Sequence, residues 1–377
     1  MASDQTPFVD LPAALVEDIL GQATFTGDLL IDRFRDLKME REGYRRLLKE
    51  KELVVHESSL GYPPLPTTCG TDGSYAIERL LFADLTAAAA VAVEGLTPPS
   101  EKRHWDQPHH LAFVQVEPHH PDTSTVLRAV MLGKELVLAT SAPHDLVMLD
   151  QTLTLPIIYF NQALNQAPNC PELSCSKEFM EHSLEYLEAY RNILRPLRSD
   201  KHYLGLPKYS SRREIGKIIH SPEAHDDRGL LTFLLQAGEL TRPMRLEQPD
   251  QPWHLPGNLH AQAGTLATDI IDGLGEILIF YYKPHEWLPA LRIETAKEVA
   301  LNPHRLAVVV QGIKHQCAVP SILEPYPLYL ADRTVKALAR AVPTFRQVAT
   351  QRLSEHYDGD IGEVFFAMHG YRSESGR

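Results

Sequence analysis

The apolar positions of the chain switch repeatedly between the helical period and the strand period, which predicts a mixed α/β protein. Residues 11–52 carry a helical stripe that we interpret as two helices. Strand-like runs lie at Thr68–Tyr75, Leu111–Glu117, Asp145–Asp150, Tyr203–Lys208, Glu276–Lys283 and Ala290–Glu294. Helical runs lie at Thr123–Thr140, Lys177–Arg195, Ser211–His220, Asp226–Ala237, Leu301–Cys317 and Leu328–Leu353.

The remaining segments are less regular. Leu80–Glu94 is ambiguous from its pattern alone, because the alanines at 87–90 favour a helix whereas a tight turn at Gly73 would favour paired strands. Proline, glycine and polar residues predict connections at 61–70, 98–109, 165–176 and 241–260. The polar tail after Tyr371 is expected to be frayed. The N-terminal helices could pack on the rest of the chain or contact another subunit or partner.

Composition and charge restrict the class of protein. The chain has 377 residues, is 44% hydrophobic, and carries 37 Lys+Arg against 49 Asp+Glu, a balance of 37 − 49 = −12. This excludes a disordered or coiled-coil chain, and the acidic balance argues against non-specific polyanion binding by the whole surface. With only four cysteines, no long apolar run and no signal-like pattern in the first ten residues, we expect a cytoplasmic protein without a membrane span.

The candidate chemistry lies in carboxylates near the ends of predicted strands. Asp72 is in Thr71-Asp72-Gly73-Ser74, Asp150 ends a short buried strand, and Glu135 precedes it in a predicted helix. Asp332 comes near the start of a late helix. If these groups meet, their repulsion favours a hard divalent cation, Mg²⁺ or Mn²⁺, which can activate water for phosphodiester cleavage. The alternatives are that Asp-Gly-Ser forms a turn and that Asp150 caps the next segment.

Other residue types do not form a recognisable site. Five histidines at 104, 109, 110, 119 and 120 flank a predicted strand in Pro-rich loops, and we interpret them as surface residues rather than zinc ligands. Cys170 and Cys175 have no second pair, which disfavours a zinc ribbon. The sequence contains no Walker loop, no Gly-x-Ser-x-Gly and no dinucleotide-binding Gly-x-Gly-x-x-Gly, and we do not expect the protein to hydrolyse ATP itself.

Four motifs in order resemble the NurA nuclease family. They are GTDGSYAIERLLFADLTAAAAVAVEG, RAVMLGKELVLATSAPHDLVMLDQTL, LPKYSSRREIGKII and EPYPLYLADRTVKAL, and they extend from about Gly70 to about Leu338. The resemblance implies an RNase H-like fold of the Argonaute PIWI type, a mixed β-sheet flanked by helices with an N-terminal helical extension. It also implies a homodimer, Mn²⁺-dependent (or Mg²⁺-dependent) DNA cleavage and a hexameric HerA-type ATPase partner. Under it, Leu80–Glu94 should be a strand.

By the same resemblance, Asp72, Glu135 and Asp150 match the family's acidic residues. The family usually repeats Asp-Gly-Ser at the second aspartate, where this chain has Asp150-Gln151-Thr152, and it ends the late motif with Ala-His, where this chain has Ala331-Asp332. Asp332 still offers an oxygen ligand but cannot act as an imidazole proton donor. The family's tyrosine before that histidine falls on Glu324, or on Tyr326 if the match is shifted.

A basic stretch supplies the expected DNA contacts. Residues 191–217 contain eight Lys and Arg against Asp200 and Glu214, a local charge of +6. Basic residues near an acidic metal site suit a phosphate backbone, although a solvated helix face would have the same pattern. The positions that match the family's basic stretch are Lys208, Arg212, Arg213 and Lys217. Asp226 or Asp227 is expected to cap a helix, with metal binding by Asp227 as the alternative.

The candidate residues together with the resemblance predict a metal-dependent DNA nuclease. The resemblance further implies that it acts with a HerA-type ATPase in DNA end processing, repair or defence against phage. The metal and catalytic residues would be Asp72, Glu135, Asp150 and Asp332. The expected organisation is an N-terminal helical segment (1–60), a nuclease domain (61–355) with a helical insertion at about 165–265, and a C-terminal tail (356–377). The alternative functions are a non-catalytic adaptor that docks on the ATPase and an enzyme that acts on RNA.

Overall fold

The computed structural model describes residues 11–223, 225–256 and 261–376. The parts of the sequence interpretation that fall on residues 1–10, 224, 257–260 and 377 lie outside these ranges. The chain divides into two compact units, one ending at Leu53 and the other starting at Val54. The candidate site lies wholly within the second unit, and the predicted domain limits stay predictions.

In the first unit, the helical stripe forms one helix rather than the two predicted. Helix α1 spans Ala13–Glu50 and contains no proline. Gly21, Gly27 and Gly43 lie inside it in open space. Each glycine costs about 1 kcal/mol relative to alanine, which weakens a helix of this length without breaking it. Large apolar side chains along α1 are exposed, among them Phe25 and Met39.

The second unit contains the remaining helices and all the strands described. Its helices are α2 (Thr123–Ser141), α3 (Leu155–Gln166), α4 (Ser174–Leu194), α5 (Glu214–Ile218), α6 (Asp227–Leu234), α7 (Ala261–Gly275), α8 (Lys297–Ala300), α9 (Pro303–Gln316), α10 (Tyr326–His356) and α11 (Ile361–Ala367). Its strands are β1 (Val54–His56), β2 (Thr68–Leu80), β3 (Asp84–Glu94), β4 (His109–Glu117), β5 (Leu146–Leu149), β6 (His202–Gly205), β7 (Glu239–Thr241), β8 (Met244–Arg245), β9 (Leu278–Tyr282), β10 (Leu291–Thr295) and β11 (Gly370–Gly376). Short 3₁₀ turns occur at Glu57–Ser59 and Ala167–Asn169.

The strands form one mixed sheet in the order β1-β7-β9-β10-β6-β5-β2-β3-β4, with β8 paired to β9 and β11 to β2. Strands β2, β5 and β6 are parallel neighbours. On the other side of β2, β3 is antiparallel to β2 and β4 is antiparallel to β3. Helices flank this sheet. The expected mixed sheet with flanking helices is therefore confirmed.

The alanine-rich segment 87–90 forms part of β3, as the resemblance implied. It pairs with β2 on one side and β4 on the other. Both faces of β3 contact helices, α2 and α10. Small side chains let two helices approach the same strand, so tertiary packing outweighs the intrinsic helix preference of alanine.

Several local predictions were wrong. Residues 372–376 are not frayed, because β11 pairs with β2 from Gly370↔Leu80 to Gly376↔Tyr75. The predicted helix Ser211–His220 is confined to α5, and the predicted loop at 165–176 contains a 3₁₀ turn and the start of α4. The described part of the region 165–265 contains three short strands besides its helices. Among the described residues, no helix is both long enough and apolar enough to cross a bilayer.

Candidate metal centre

Asp72 and Asp150 are brought together by the register of two parallel strands. β2 and β5 pair from Thr68↔Leu146 to Thr71↔Leu149, so the two aspartates occupy the next position on each strand. The Asp150 backbone N–H donates to the Thr71 carbonyl at 3.2 Å, which keeps the strands adjacent at this point. Asp72 is not in a turn, since it continues β2 opposite Val91 of β3. The turn alternative for Asp-Gly-Ser is therefore excluded.

Asp332 reaches the two aspartates from α10, and Gly70 makes this possible. A Cβ atom placed on Gly70 would lie 2.7 Å from the backbone N of Leu328 and 2.7 Å from the carbonyl carbon of Pro327. The first turn of α10 thus crosses β2 in direct backbone contact. Asp332 follows Leu328 by one helical turn and so projects from the same face of α10. Gly70 and Asp72, two residues apart, lie on the same face of β2.

The three aspartates converge closely enough to share a cation. One ligand oxygen from each of Asp72, Asp150 and Asp332 lies within 4.8 Å of the others. All three residues are buried, with exposed fractions of 2%, 7% and 8%. Three carboxylates this close in a poorly hydrated place repel one another unless positive charge balances them.

Lysine side chains supply part of that charge. Lys208 Nζ lies 2.8 Å from Asp150 Oδ2, 2.8 Å from Glu324 Oε2 and 3.6 Å from Asp332 Oδ1. Lys336 Nζ lies 2.8 Å from Asp332 Oδ2, one helical turn along α10. Lys208 follows β6, whose carboxyl end lies beside that of β5, and this explains how it reaches the cluster. Lys208, one of the residues predicted to contact DNA, therefore contacts the carboxylates of the candidate metal centre directly.

Glu135 approaches from the opposite layer of the sheet. A Cβ atom on Gly73 would lie 2.9 Å from Met131 Cγ and 3.4 Å from Glu135 Oε2, so α2 packs on the face of β2 to which position 73 points. Successive residues of a strand face opposite sides, hence Asp72 points toward the α10 layer. Glu135 is 2% exposed. Glu135 is not one of the three residues whose oxygens lie within 4.8 Å of one another, and its part in metal binding stays a prediction.

A buried network that the sequence did not indicate fixes the loop after Asp150. Glu294 Oε2 accepts hydrogen bonds from the Thr152 hydroxyl (2.6 Å) and the Leu153 backbone N–H (2.9 Å). Arg292, 1% exposed, donates to Glu294 at 2.9 Å and to both oxygens of Glu214 at 2.9 Å. The network thus links the Asp150 loop to α5 in the basic stretch.

The charge of Arg292 is stabilised by these partners. Burial alone would lower the pKa of Arg292, but its bonds to Glu214 and the nearby Glu294 raise it overall. Burial likewise opposes the ionised form of Glu214, and the bonds from Arg292 lower its pKa. The sequence predicted β9 as a strand from its apolar run and β10 as its possible partner. It gave no sign that the charged residues of β10 would lie in the core.

The other residues of the basic stretch have mostly structural partners. Arg213 donates to the Ser221 carbonyl and, at 3.2 Å, to the His225 carbonyl, which holds the loop before α6. Lys217 pairs with Glu247, and Arg212 Nη1 lies 3.8 Å from the same carboxylate. Arg212, Arg213 and Lys217 follow Lys208 closely in the sequence, but Glu247 balances part of the charge of Arg212 and Lys217.

Asp226 and Asp227 have separate structural roles. Asp226 Oδ1 accepts from the Gly229 backbone N–H at 2.8 Å and caps α6, as expected for one of the pair. Asp227 accepts from the N–H groups of Ile215 and Gly216, both at 2.7 Å, and joins α6 to α5. Burial raises the pKa of Asp227 to about 6. Asp227 does not belong to the aspartate group described above, and Tyr326 is the first residue of α10.

The histidines largely follow the surface interpretation. His104, His109, His110 and His119 are exposed. His120 is half-buried and forms a second possible cation group with Asp122 and Cys170. All four cysteines are free and buried, as expected for a chain without a disulfide framework.

Comparison with solved structures places this arrangement in a known fold. The NurA nuclease from Sulfolobus solfataricus aligns with 90% of this chain and 98% of its own at a TM-score of 0.61 and 13% identity. A second NurA structure aligns with 94% of this chain and 100% of its own at a TM-score of 0.54 and 13% identity. The chain has the NurA fold.

The NurA likeness is one of structure. No protein-family model matches the sequence, and no curated protein matches it. The NurA fold nevertheless explains why four short motifs, each weak alone, resemble that family in their order. They correspond to β2–β3, α2–β5, the segment after β6 and the start of α10, the elements that surround the aspartate cluster.

Proposed function

We propose that this protein is a divalent-metal-dependent DNA nuclease of the NurA family. The observation that carries the proposal is the convergence of Asp72, Asp150 and Asp332 from two strands and a helix, with one oxygen of each within 4.8 Å of the others. Such a buried acidic group is unfavourable by itself and suits a doubly charged ion.

The donor set fits Mn²⁺ or Mg²⁺ as the cofactor. Carboxylate oxygens are the ligands that these hard cations prefer, and the described group offers no sulfur or imidazole donor. Asp72, Asp150 and Asp332 would hold the ion, with Glu135 as a further ligand. When bound, such an ion lowers the pKa of water and stabilises the charge that develops during phosphodiester hydrolysis.

The topology supports an RNase H-like assignment. Strands β4, β3 and β2 form an antiparallel set, and β5 and β6 continue parallel to β2. The acidic residues lie on the central strand β2 and at the carboxyl end of its parallel neighbour. Open sheets commonly place ligands outside the carboxyl ends of parallel strands.

Other residues near the candidate metal centre position its carboxylates or carry positive charge. Lys208 holds the Asp150 and Glu324 carboxylates together and keeps a positive charge at the edge of the cluster. Glu294 fixes the backbone after Asp150 through Leu153. Arg212, Arg213 and Lys217 would attract the phosphate backbone from α5 and the loop before it. Asp332 can bind a cation but cannot donate a proton as a histidine would at neutral pH.

The test is cleavage of linear DNA with Mn²⁺, with Mg²⁺ and with chelator. Asp72→Asn and Asp150→Asn should abolish cleavage and weaken Mn²⁺ binding in calorimetry, because each removes an anionic ligand while keeping the side-chain shape. Asp200→Asn is a matched control, since Asp200 is exposed and pairs only with Arg198 among the contacts described. Full activity of both site variants in Mn²⁺ would remove these residues from the mechanism.

A catalytically degraded adaptor is the second candidate. The observation that favours it is Lys208, whose ammonium lies 2.8 Å from two carboxylates and so balances part of the cluster without a metal ion. An adaptor would bind its partner normally, degrade no DNA in any metal, and show no Mn²⁺ binding that depends on Asp72. Those three results together would replace the nuclease proposal.

The partners and process are further proposals from the family resemblance. A HerA-type hexameric ATPase would move the DNA, and two copies of this chain would act together in end processing, repair or defence against phage. Light scattering of the purified protein, alone and mixed with such an ATPase, tests both assemblies. Matched DNA and RNA substrates test the choice of nucleic acid. A cytoplasmic location stays a prediction.

A further inference from the structure

A large open cavity lies beside the aspartate cluster, between the segment after β6 and helix α6. Its volume is about 680 Å³. Among the residues that line it are Lys208, Tyr209, Ser210, Glu223, Asp226 and Arg228. Small-molecule sites typically enclose about 300–1,000 Å³, so the cavity has room for a nucleotide.

Lys208 joins this cavity to the cluster. Its side chain lines the cavity, and its Nζ lies 2.8 Å from Asp150 Oδ2. A phosphate near Lys208 would therefore be next to the candidate metal ligands. If a DNA strand placed a phosphate there, the nucleotide next to that phosphate would lie in the cavity.

Tyr209 presents an aromatic ring to solvent at this position. It is 93% exposed, the largest exposed fraction among the large apolar side chains described, and it follows Lys208 directly. Exposed aromatic rings beside positive charge are the means by which proteins hold unpaired bases, because every base has a π-face that can stack.

The polar lining suits a nucleotide with a single phosphate. Arg228 is half-buried and its Nε donates to the Ala290 carbonyl at 3.1 Å, which fixes the guanidinium in the wall. The Ser210 hydroxyl accepts from the Arg212 N–H and can donate its own hydrogen. Two acidic residues, Asp226 and Glu223, also line the cavity and balance part of this charge. Burial lowers the pKa of Arg228, and the Asp226 carboxylate partly offsets that effect, whereas Glu223 is exposed to solvent.

We propose that this cavity binds one unpaired nucleotide of the DNA strand, with its base stacked on Tyr209 and its phosphate between Lys208 and Arg228. The proposal rests on the proposed nuclease function for its substrate. It adds that the strand enters the site unpaired, since a base inside a continuous duplex has no face available for Tyr209. The chain would therefore prefer single strands or frayed ends to continuous duplex.

The test measures binding in chelator, where no cleavage occurs. The probes are a fluorescein-labelled 20-nucleotide oligo(dT) and a dumbbell duplex closed by hairpins, read by fluorescence anisotropy. Tyr209→Ala should weaken oligo(dT) binding about 5- to 100-fold, as expected for the loss of one stacked base. Tyr209→Phe should bind within about twofold of the unchanged protein, because phenylalanine keeps the ring.

Tyr62→Ala is the matched control, since Tyr62 is 70% exposed and does not line the cavity. The dumbbell should bind more weakly than oligo(dT) and equally to all variants. Unchanged oligo(dT) binding by Tyr209→Ala would overturn the proposal, as would equal losses on oligo(dT) and dumbbell. Because the assay needs neither metal nor cleavage, a protein that binds through Tyr209 yet cuts nothing would refute the nuclease function and leave this site standing.

Discussion

The position of Asp332 depends on the absence of a side chain at Gly70, and Gly70→Ala tests that dependence. The added Cβ would lie 2.7 Å from two backbone atoms of α10, whereas ordinary contact begins at 3.4 Å. To relieve this overlap, β2 and α10 must move apart by 3.4 − 2.7 = 0.7 Å. The obstructing atoms belong to the backbone of Pro327 and Leu328, so no side-chain rotation can provide it.

A shift of this size is expected to matter more for the site than for the fold. Overpacking of this kind costs about 1–3 kcal/mol of the free energy of unfolding. A displacement of about 1 Å can lower a catalysed rate by about 100-fold. Because Asp332 moves with α10, Gly70→Ala should weaken Mn²⁺ binding in calorimetry and lower DNA cleavage about 10- to 100-fold, while the protein stays folded by circular dichroism.

Gly95→Ala separates this effect from general destabilisation. A Cβ there would collide with the side chains of Thr68 and Gln316, away from α10. It should lower the free energy of unfolding by a similar amount while leaving Mn²⁺ affinity within about twofold. Gly70→Ala with normal metal affinity and normal cleavage would show that the helix position does not set the site.

Three further predictions concern single side chains. Lys208→Met should tighten Mn²⁺ binding at least about fivefold in calorimetry, because it removes a cation 2.8 Å from Asp150; unchanged affinity would mean that lysine and metal do not compete. Burial lowers the pKa of His144 to about 4. As the pH falls from 6.5 to 4, the unfolded chain therefore binds a proton at this position before the folded chain does, and the free energy of unfolding should fall by up to about 3 kcal/mol. Urea unfolding of His144→Leu should be less sensitive to pH over that interval. Thr152→Val should cost about 1–2 kcal/mol in urea unfolding and weaken Mn²⁺ binding, because Glu294 loses a hydrogen bond, whereas Thr152→Ser should retain both properties.

The sequence predicted the two strand aspartates because their placement follows from local pattern and pairing. A short apolar run that ends in Asp150 predicts a buried strand, and a parallel partner brings its end beside Asp72.

The first expectation that failed was the division of residues 11–52 into two helices, where the structure has the single helix α1. Its helical period was recognised, but where a long helix breaks depends on energies of about 1 kcal/mol at each glycine, which pattern alone does not resolve.

The long-range contacts could not be predicted in the same way. β11 pairs with β2 across almost the whole sequence, and its polar residues carry no strand signal. Glu135 was matched to the acidic group by the family resemblance. Its helix α2 packs on the face of β2 to which position 73 points, and the part of Glu135 in metal binding stays a prediction. Which helix covers which face is decided by packing against the whole sheet.

The basic stretch shows why a charge count overstates a binding surface. Its local charge of +6 suggested a cluster of free cations for DNA. In the fold, Arg213 holds a loop through backbone carbonyls, and Arg212 and Lys217 share Glu247. Lys208 is the member that reaches the aspartates. Since Lys208 also pairs with Asp150 and Glu324, only part of its charge is available to a DNA phosphate when no metal is bound. A bound Mn²⁺ would compete with Lys208 for Asp150, and the affinity of the site for DNA should therefore rise with Mn²⁺ occupancy.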